Sequence, residues 1–535
     1  MKGRYSLAGT HIGIAVAAFG VASLMGVLQA LSLADFHFPH RDEGLYYISV
    51  TAHGVLMALV FTTFFIMGLG YLLAQENLGR IVGRGAAWFG FWLAAVGSVA
   101  AAETILRGQS TVLYTFYPPL QAHPLFYIGA TALIIGSWIW GGVVIASFRS
   151  WRRENPGAPI PLSIHGMLAT IIIWYLATAG LAMEVLGMLI PWSLHWVKTI
   201  DPVLARTYFW WFGHPLVYFW LLPAYVLWYT VLPQVAGGRL FSDKLGRLVF
   251  IMFVLLSVPV GFHHQFTDPG IGSGWKLLHT MLTFSVAYPS LVTAFTIIAS
   301  LEVAGRMKGA KGLFNWIGKL PWLDPFFASC ALAMLAFTFG GFGGAINAAY
   351  AMNTMVHNTA WIMGHFHVTL GTTVAMTFMG GTYWLLPRIS GRELALKPLA
   401  VLQPYLWFAG MMLFSVSYHI AGLRGLPRRV YSASLNGEYT QWHGLSLVAA
   451  TGAVVLVMSS MCYVLVAAAT WLTGKKAEAP AFEFAIPLQP AVASVWDRFG
   501  LWTVVAIVIV IAAYAYPILH LLSQHRYGSP PFQPF

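Results

Sequence analysis

Charged residues are scarce: Asp, Glu, Lys and Arg together make up 9% of this 535-residue chain, where a soluble protein carries about a quarter. That excludes an ordinary soluble enzyme, and the connections between apolar stretches are too short to hold a soluble domain. Cysteine is nearly absent. Cys330 and Cys462 lie in separate apolar segments with no CxxC or CxxxC spacing, which argues against a disulfide framework and a sulfur-ligated metal. There is no CxxCH for covalent haem, no GxxxxGK[ST] loop for nucleotide phosphates and no tandem repeat.

What is present is apolar: 58% of the residues are hydrophobic. Runs of the ~20 residues needed to cross a bilayer recur about thirteen times, centred near residues 22, 60, 95, 135, 175, 217, 255, 289, 335, 370, 411, 458 and 510. In lipid every backbone polar group must be satisfied internally, so these runs are expected to be helices. The expected fold is all-α: a polytopic membrane protein forming a single bundle of about 13 transmembrane helices, one domain over 1–535. The first run reads as a full span rather than a cleavable signal peptide. Residues 474–495 are the one linker-like stretch, before the last helix. The glycine-rich "TFGGFGGAIN" at 338–347 reads as close helix packing.

The net charge of +12 raises the question of nucleic acid, but its distribution answers it. With thirteen spans, the N-terminus and every second connection hold 20 of the 29 Lys and Arg, leaving 9 on the other side. The positive-inside rule then places the N-terminus in the cytoplasm and the C-terminus outside. No nucleic acid is implied.

Histidine is abundant for so apolar a chain, with 18 copies, and ionisable groups inside a membrane are functional candidates by default. Following the alternating directions of the spans, His53, His214, His263, His264, His365 and His367 converge on the outer part of the bilayer. His365 and His367 stand two apart, about 200° around a helix, so they face opposite sides and can serve two centres. His263 and His264 diverge by about 100° in a regular helix, but Pro259 and Gly261 can open it and turn both rings toward one ion. With His214 they make three imidazoles, a set that suits copper, zinc, iron or nickel. His214 and Tyr218 are one helical turn apart, on one face.

"GHPLVY", "HHQF" and "HFH", in that order on the sixth, seventh and tenth segments, together with "VLYTFYPPLQAHPLFYIGA", resemble subunit I of the haem–copper oxygen reductases. The B-type (ba-type) cytochrome c oxidases are the most similar branch. Leu216 stands where the A-type branch carries Glu after His-Pro. The resemblance implies His53 and His367 as axial ligands of a low-spin haem, of b type, and His365 as the proximal ligand of a high-spin haem, of a type. It implies one copper ion on His214, His263 and His264, and a covalent bond between His214 and Tyr218. The activity it implies is reduction of O2 to water, coupled to proton uptake and pumping.

A proton trail is expected from Tyr218 inward through Tyr225 and Tyr229, whose offsets of 7 and 11 return to about the same face, joined by Ser290, Thr293 and Thr296. Ser242 lies at the cytoplasmic mouth, and these positions also match the single pathway of the B-type branch. On the outer side Arg428 and Arg429 suit haem propionates, since guanidinium forks carboxylates bidentately; Arg206 is a weaker candidate and His357 lies near. Asn353 is placed in the same propionate region; the resemblance implies an acid at its position, and asparagine holds no proton. Glu184 and the i, i+4 pair Glu103/Arg107 read as local structural features.

The absence of a two-cysteine copper domain implies a separate subunit II carrying a dinuclear copper site, with cytochrome c as electron donor and small accessory membrane subunits beside it. The expected location is the cell membrane of a prokaryote. Two other readings stand. A nitric oxide reductase-like member of the same superfamily would hold iron in place of copper and lack the His-x-x-x-Tyr pair. A polytopic transporter would bind no haem and place its site near the midplane.

Overall fold

The computed structural model describes residues 3–36, 42–435, 438–524 and 528–532. Among them the regular structure is helical, with only isolated β-bridges. Eleven helices are long and apolar enough to cross a membrane. In chain order with two further ones they are α1 (Ser6–Leu33), α2 (Glu43–Asn77), α3 (Arg84–Leu106), α4 (Pro124–Glu154), α5 (Leu162–Ser193), α6 (Pro202–Val235), α7 (Asp243–Leu256), α8 (Ser273–Met307), α9 (Pro325–Ala348), α10 (residues 361–390), α11 (Lys397–Leu423), α12 (His443–Leu472) and α13 (Phe499–Ser523).

Each of the thirteen expected segments is therefore helical. The two outside the eleven are α7, only 14 residues long, and α10, in which histidine, threonine and glycine interrupt the apolar residues. The helix starts follow ordinary capping chemistry: Asp42 accepts from Leu45 N at 3.0 Å, Asp201 from Val203 N at 2.8 Å and Asp324 from Phe327 N at 2.9 Å. Prolines at the first turns of α4, α6 and α9 cost no hydrogen bond there.

Small residues bring helices together where lipid supplies no hydrophobic drive. Gly90 and Gly97 of α3 face Gly136 and Gly129 of α4 so closely that an added Cβ on Gly97 would lie 2.5 Å from a backbone oxygen of its partner. Within the glycine-rich stretch of α9, Gly340 abuts Thr369 and Gly343 abuts His365, both on α10, while Gly341 and Gly344 face open space. The expected packing role is thus divided: two glycines of the four meet the histidine-bearing helix.

Three helices pass through a wider π turn: α2 at Leu56–Phe61, α5 at Val185–Leu189 and α10 at His367–Thr372. Such turns recur at functional sites, and two of these adjoin His53 and His367. Residues 474–495 are extended and tied down: Ala485 N donates to Thr230 O at 2.6 Å, Leu240 N to Ile486 O at 3.0 Å, and Gln234 Nε2 to Glu483 at 2.9 Å.

Candidate functional site

Helix α6 is interrupted at His214. Pro215 has no amide hydrogen, so the helix Pro202–Gly213 stops and restarts at Pro215. After α7 ends at Leu256, residues Gly261–Gln265 form a tight 3-10 turn rather than more α-helix. Gly261 is required there: an added Cβ would lie 2.4 Å from the carbonyl oxygen of Trp210. Tyr514 of α13 braces the turn, accepting from Gly261 N at 3.1 Å and donating to Val258 O at 3.2 Å. The tight turn brings the His263 and His264 rings to 4.1 Å, and the His214 ring lies 4.5 and 5.2 Å from them.

One ligand nitrogen from each of these three histidines lies within 4.8 Å of the others. His214 Nδ1 and His264 Nε2 are 3.0 Å apart, about the separation of two nitrogens bound at roughly 2.0–2.1 Å to a shared ion. Thr283 meets His263 Nδ1 at 3.0 Å, leaving its Nε2 for the cluster, and Trp210 stacks on His264 at 3.7 Å and 8°. A hydrogen bond to the far ring nitrogen is how metal-ligating imidazoles are oriented. The all-imidazole donor set fits copper, as it fits zinc, iron or nickel. His214 Nε2 points away from the cluster, 3.0 Å from Tyr218 Oη.

His53 and His367 face each other with ring centroids 6.1 Å apart and planes 12° from parallel. That is too far for ring contact, but two metal–imidazole bonds of roughly 2 Å with the ring radii add to about the same distance. Both Nδ1 atoms are engaged, by Ala22 O and Met363 O, each at 2.8 Å, so both Nε2 atoms are left for an axial ligand role. His365 turns to the other side of α10, its Nδ1 3.2 Å from Thr369 Oγ1. It lies within electrostatic reach of His214 and His263. All six histidines and Tyr218 open onto one cavity of about 1060 Å³, at the upper limit of the ~300–1,000 Å³ of ordinary ligand pockets.

One rim of the cavity is cationic. Arg428 and Arg429 line the cavity, and among the described residues neither has a carboxylate within 4.0 Å. Arg428 donates to Asn358 Oδ1 at 3.0 Å; Arg429 donates to Tyr114 Oη at 3.2 Å and lies 4.3 Å over that ring. Burial and then the neighbouring Arg429 push the Arg428 guanidinium down to about 10. Burial alone would raise the Tyr114 phenol, but Arg429 and Arg428 outweigh it and hold the phenol below its ordinary value. Two adjacent guanidiniums without an anion fit carboxylates. Arg206 is different: it pairs with Asp268 at 3.1 Å and covers Tyr117 at 4.9 Å. Asn353 Oδ1 meets His357 Nδ1 at 3.1 Å, and His357 Nε2 meets Thr267 Oγ1 at 3.2 Å.

Further along α6 from Tyr218, Tyr225 Oη lies 3.3 Å from Ser290 Oγ and Tyr229 Oη 3.1 Å from Thr293 Oγ1, with Thr296 also in reach of Tyr229. Ser242 stands apart from these contacts; its Oγ accepts from Leu245 N at 3.2 Å and caps α7. Glu103 and Arg107 pair at 2.5 Å. Glu184 is fully buried, and neither of its oxygens has a partner among the described residues. Thr283, Gly343, Trp210 and Tyr114 were not singled out individually from the sequence. Tyr114 lies inside the quoted "VLYTFYPPLQ" stretch and Gly343 inside the glycine-rich 338–347, read there only as helix packing; Thr283 and Trp210 carry no local signal, since each acts through a neighbour on another helix.

Residues 6–455 match the family described as cytochrome c and quinol oxidase polypeptide I. Cytochrome c oxidase subunit 1 of Thermus thermophilus is 42% identical over 519 residues, covering 94% of this chain and 92% of its own. Cytochrome c oxidase subunit 1 of Thermostichus vulcanus is 26% identical over 474 residues, 85% of this chain and 81% of its own. A cryo-electron microscopy structure of a heme-copper terminal oxidase dimer superposes with a TM-score of 0.93 at 37% identity, covering 98% of this chain and 95% of that one.

Proposed function

The chain belongs to the cytochrome c and quinol oxidase polypeptide I family, as the catalytic subunit of a terminal respiratory oxidase, and we propose that its six cavity histidines divide into three sites. His214 through Nδ1, with His263 and His264, holds copper. His365 holds a high-spin haem of a type, and His53 with His367 a low-spin haem of b type. The observation that carries this is the single cavity onto which a three-imidazole cluster, a facing imidazole pair and a lone imidazole on the opposite side of α10 all open.

Reduction of O2 to two waters takes four electrons and four protons; the bound haems and copper supply the electron path and the place where oxygen is held. The chain's own residues do the rest. Tyr218 Oη, beside His214 Nε2, gives one electron and one proton toward the cavity as a hydrogen atom. With Nδ1 turned to the cluster and Nε2 to the phenol, His214 is oriented to be bonded to the Tyr218 ring. Forming that bond removes two electrons and two protons, which oxygen in the site accepts. The Tyr225–Ser290 and Tyr229–Thr293 contacts return protons from the inner side, part of them being pumped outward. Arg428 and Arg429 hold propionate carboxylates, and Asn353 orients His357 at the rim.

As subunit I, the chain works with other oxidase subunits in a multi-pass membrane complex. Subunit II with a dinuclear copper site would pass electrons from cytochrome c, small accessory membrane subunits would flank it, and the N-terminus would face the cytoplasm. Leu216, where the A-type branch carries Glu, favours the B-type branch. His264→Asn tests the assignment: it should lose copper while both haems keep their optical signatures. Retention of one copper per chain would overturn it.

A further inference from the structure

Between α8 and α9 the chain makes a segment that spans nothing yet exposes large apolar side chains. Leu313, Phe314 and Leu323 are 73%, 69% and 77% exposed. Their outward placement is built in. Trp316 packs against Gly305, where an added Cβ would lie 2.5 Å away, and its indole donates to Leu313 O at 2.9 Å; the Trp322 indole donates to Ile317 O at 2.8 Å. Tyr405 of α11 ties Trp322 O at 2.7 Å. Lipid-facing apolar groups are common on the spans of this chain; on a turn outside them, such groups meet the membrane interface.

The charge within the segment has one sign. Between Arg306 and Asp324, the latter capping α9, the sequence holds no acid but three lysines, Lys308, Lys311 and Lys319. All three are exposed, and among the described residues none has a carboxylate within 4.0 Å. Lys308 Nζ donates to Lys319 O at 3.3 Å, drawing the two ends of the segment together. Apolar groups flanked by unpaired ammonium groups match the two parts of an acidic lipid: acyl chains and phosphate.

We propose that segment 308–323 is a binding site for an anionic phospholipid, its phosphate on Lys308, Lys311 and Lys319 and its chains against Leu313, Phe314 and Leu323. The site has a consequence for the interior. Trp316, Ile317, Leu320 and Trp322 of the same segment also line the large cavity, so the bound lipid lies behind a part of its wall. A protein subunit with an acidic edge is the competing occupant.

The test titrates the detergent-purified, haem-loaded complex with phosphatidylglycerol and with phosphatidylcholine, read by native mass spectrometry. The wild-type complex should retain phosphatidylglycerol preferentially. The triple variant Lys308→Gln, Lys311→Gln, Lys319→Gln should bind it roughly a hundredfold more weakly, with phosphatidylcholine binding and haem spectra unchanged, and the corresponding arginine variants should keep the preference. Equal retention of the two lipids by the wild type, an undiminished preference in the glutamine variant, or a polypeptide crosslinking to the segment in the intact complex would overturn the proposal.

Discussion

Gly343 of α9 offers a perturbation whose size can be read from the structure, because its effect falls on a residue of another helix. A Cβ there would lie 2.3 Å from His365 Nδ1, whereas real contacts start at 3.0 Å and are ordinary from 3.4 Å. In Gly343→Ala the imidazole must therefore retreat by at least about 0.7 Å, and by about 1.1 Å to reach ordinary contact. It has little room: Trp361 stacks 5.4 Å from it at 16°, and Thr369 Oγ1 holds its Nδ1. Overpacking of this kind costs about 1–3 kcal/mol, against which alanine in a helix regains ~0.8–1 kcal/mol over glycine. The net effect on thermal stability should be small, while a 1 Å misplacement of a reacting group lowers turnover about a hundredfold.

Gly13→Ala in α1 is the control, since nothing lies within 4 Å of its added Cβ and it does not line the cavity; it should leave turnover unchanged and raise stability slightly. The assay is oxygen consumption with the carbon monoxide difference spectrum of the reduced enzyme. Wild-type turnover and an unshifted spectrum in Gly343→Ala would refute the placement of His365 at the reacting haem.

Three further outcomes follow from the same geometry. Tyr218→Phe should keep both haem spectra and copper yet lower steady-state oxygen consumption at least a hundredfold, by removing the acidic hydrogen; in the wild type, mass spectrometry of the peptide pair holding His214 and Tyr218 should find it joined and lighter by two hydrogens. Tyr229→Phe, which removes the hydroxyl 3.1 Å from Thr293 Oγ1, should slow turnover tenfold or more without altering carbon monoxide binding, measured by flow-flash kinetics; an unchanged rate would move the proton route elsewhere. His357 is held below its ordinary 6.5 by burial and then by Arg428. The unfolded chain therefore takes up this proton at higher pH than the folded one, so stability is unaffected above about 6.5 and falls as pH drops below it. His357→Asn should flatten that acid arm in melting temperatures taken across pH, and an arm as steep as the wild type's would contradict the sign.

Much of the architecture is written in hydropathy, because lipid leaves only helices for an apolar chain. The exceptions are instructive. α7 and α10 are short or polar by that measure, yet the apolar runs near 255 and 370 are enough to count them as spans, and the distribution of basic residues agrees with that count. The histidine positions are legible for a related reason: an ionisable group in a membrane helix stands out against its surroundings, and helical geometry fixes that His365 and His367 face apart. Pro259 and Gly261 announce a break before His263, though not that the break is a 3-10 turn braced by Tyr514. The contacts that hold the rings depend on how helices distant in sequence are packed: no local pattern marks Thr283 or Trp210, and the glycine-rich 338–347 announces a close approach at Gly343 but not that His365 is what approaches. Ser242 shows the converse. A hydroxyl at a helix start reads equally as a cap or as a proton carrier, and here its oxygen caps α7.

The central claim, two haems and one copper in one cavity, is tested most directly by reduced-minus-oxidised optical spectra of the purified complex, with and without carbon monoxide, alongside iron and copper analysis. The account predicts two haem irons and one cavity copper per chain, counted beyond any copper on a second subunit, with carbon monoxide shifting one haem and leaving the other untouched. Haem with additional non-haem iron and no cavity copper would contradict it in favour of a nitric oxide reductase, and a complex without haem would contradict it altogether.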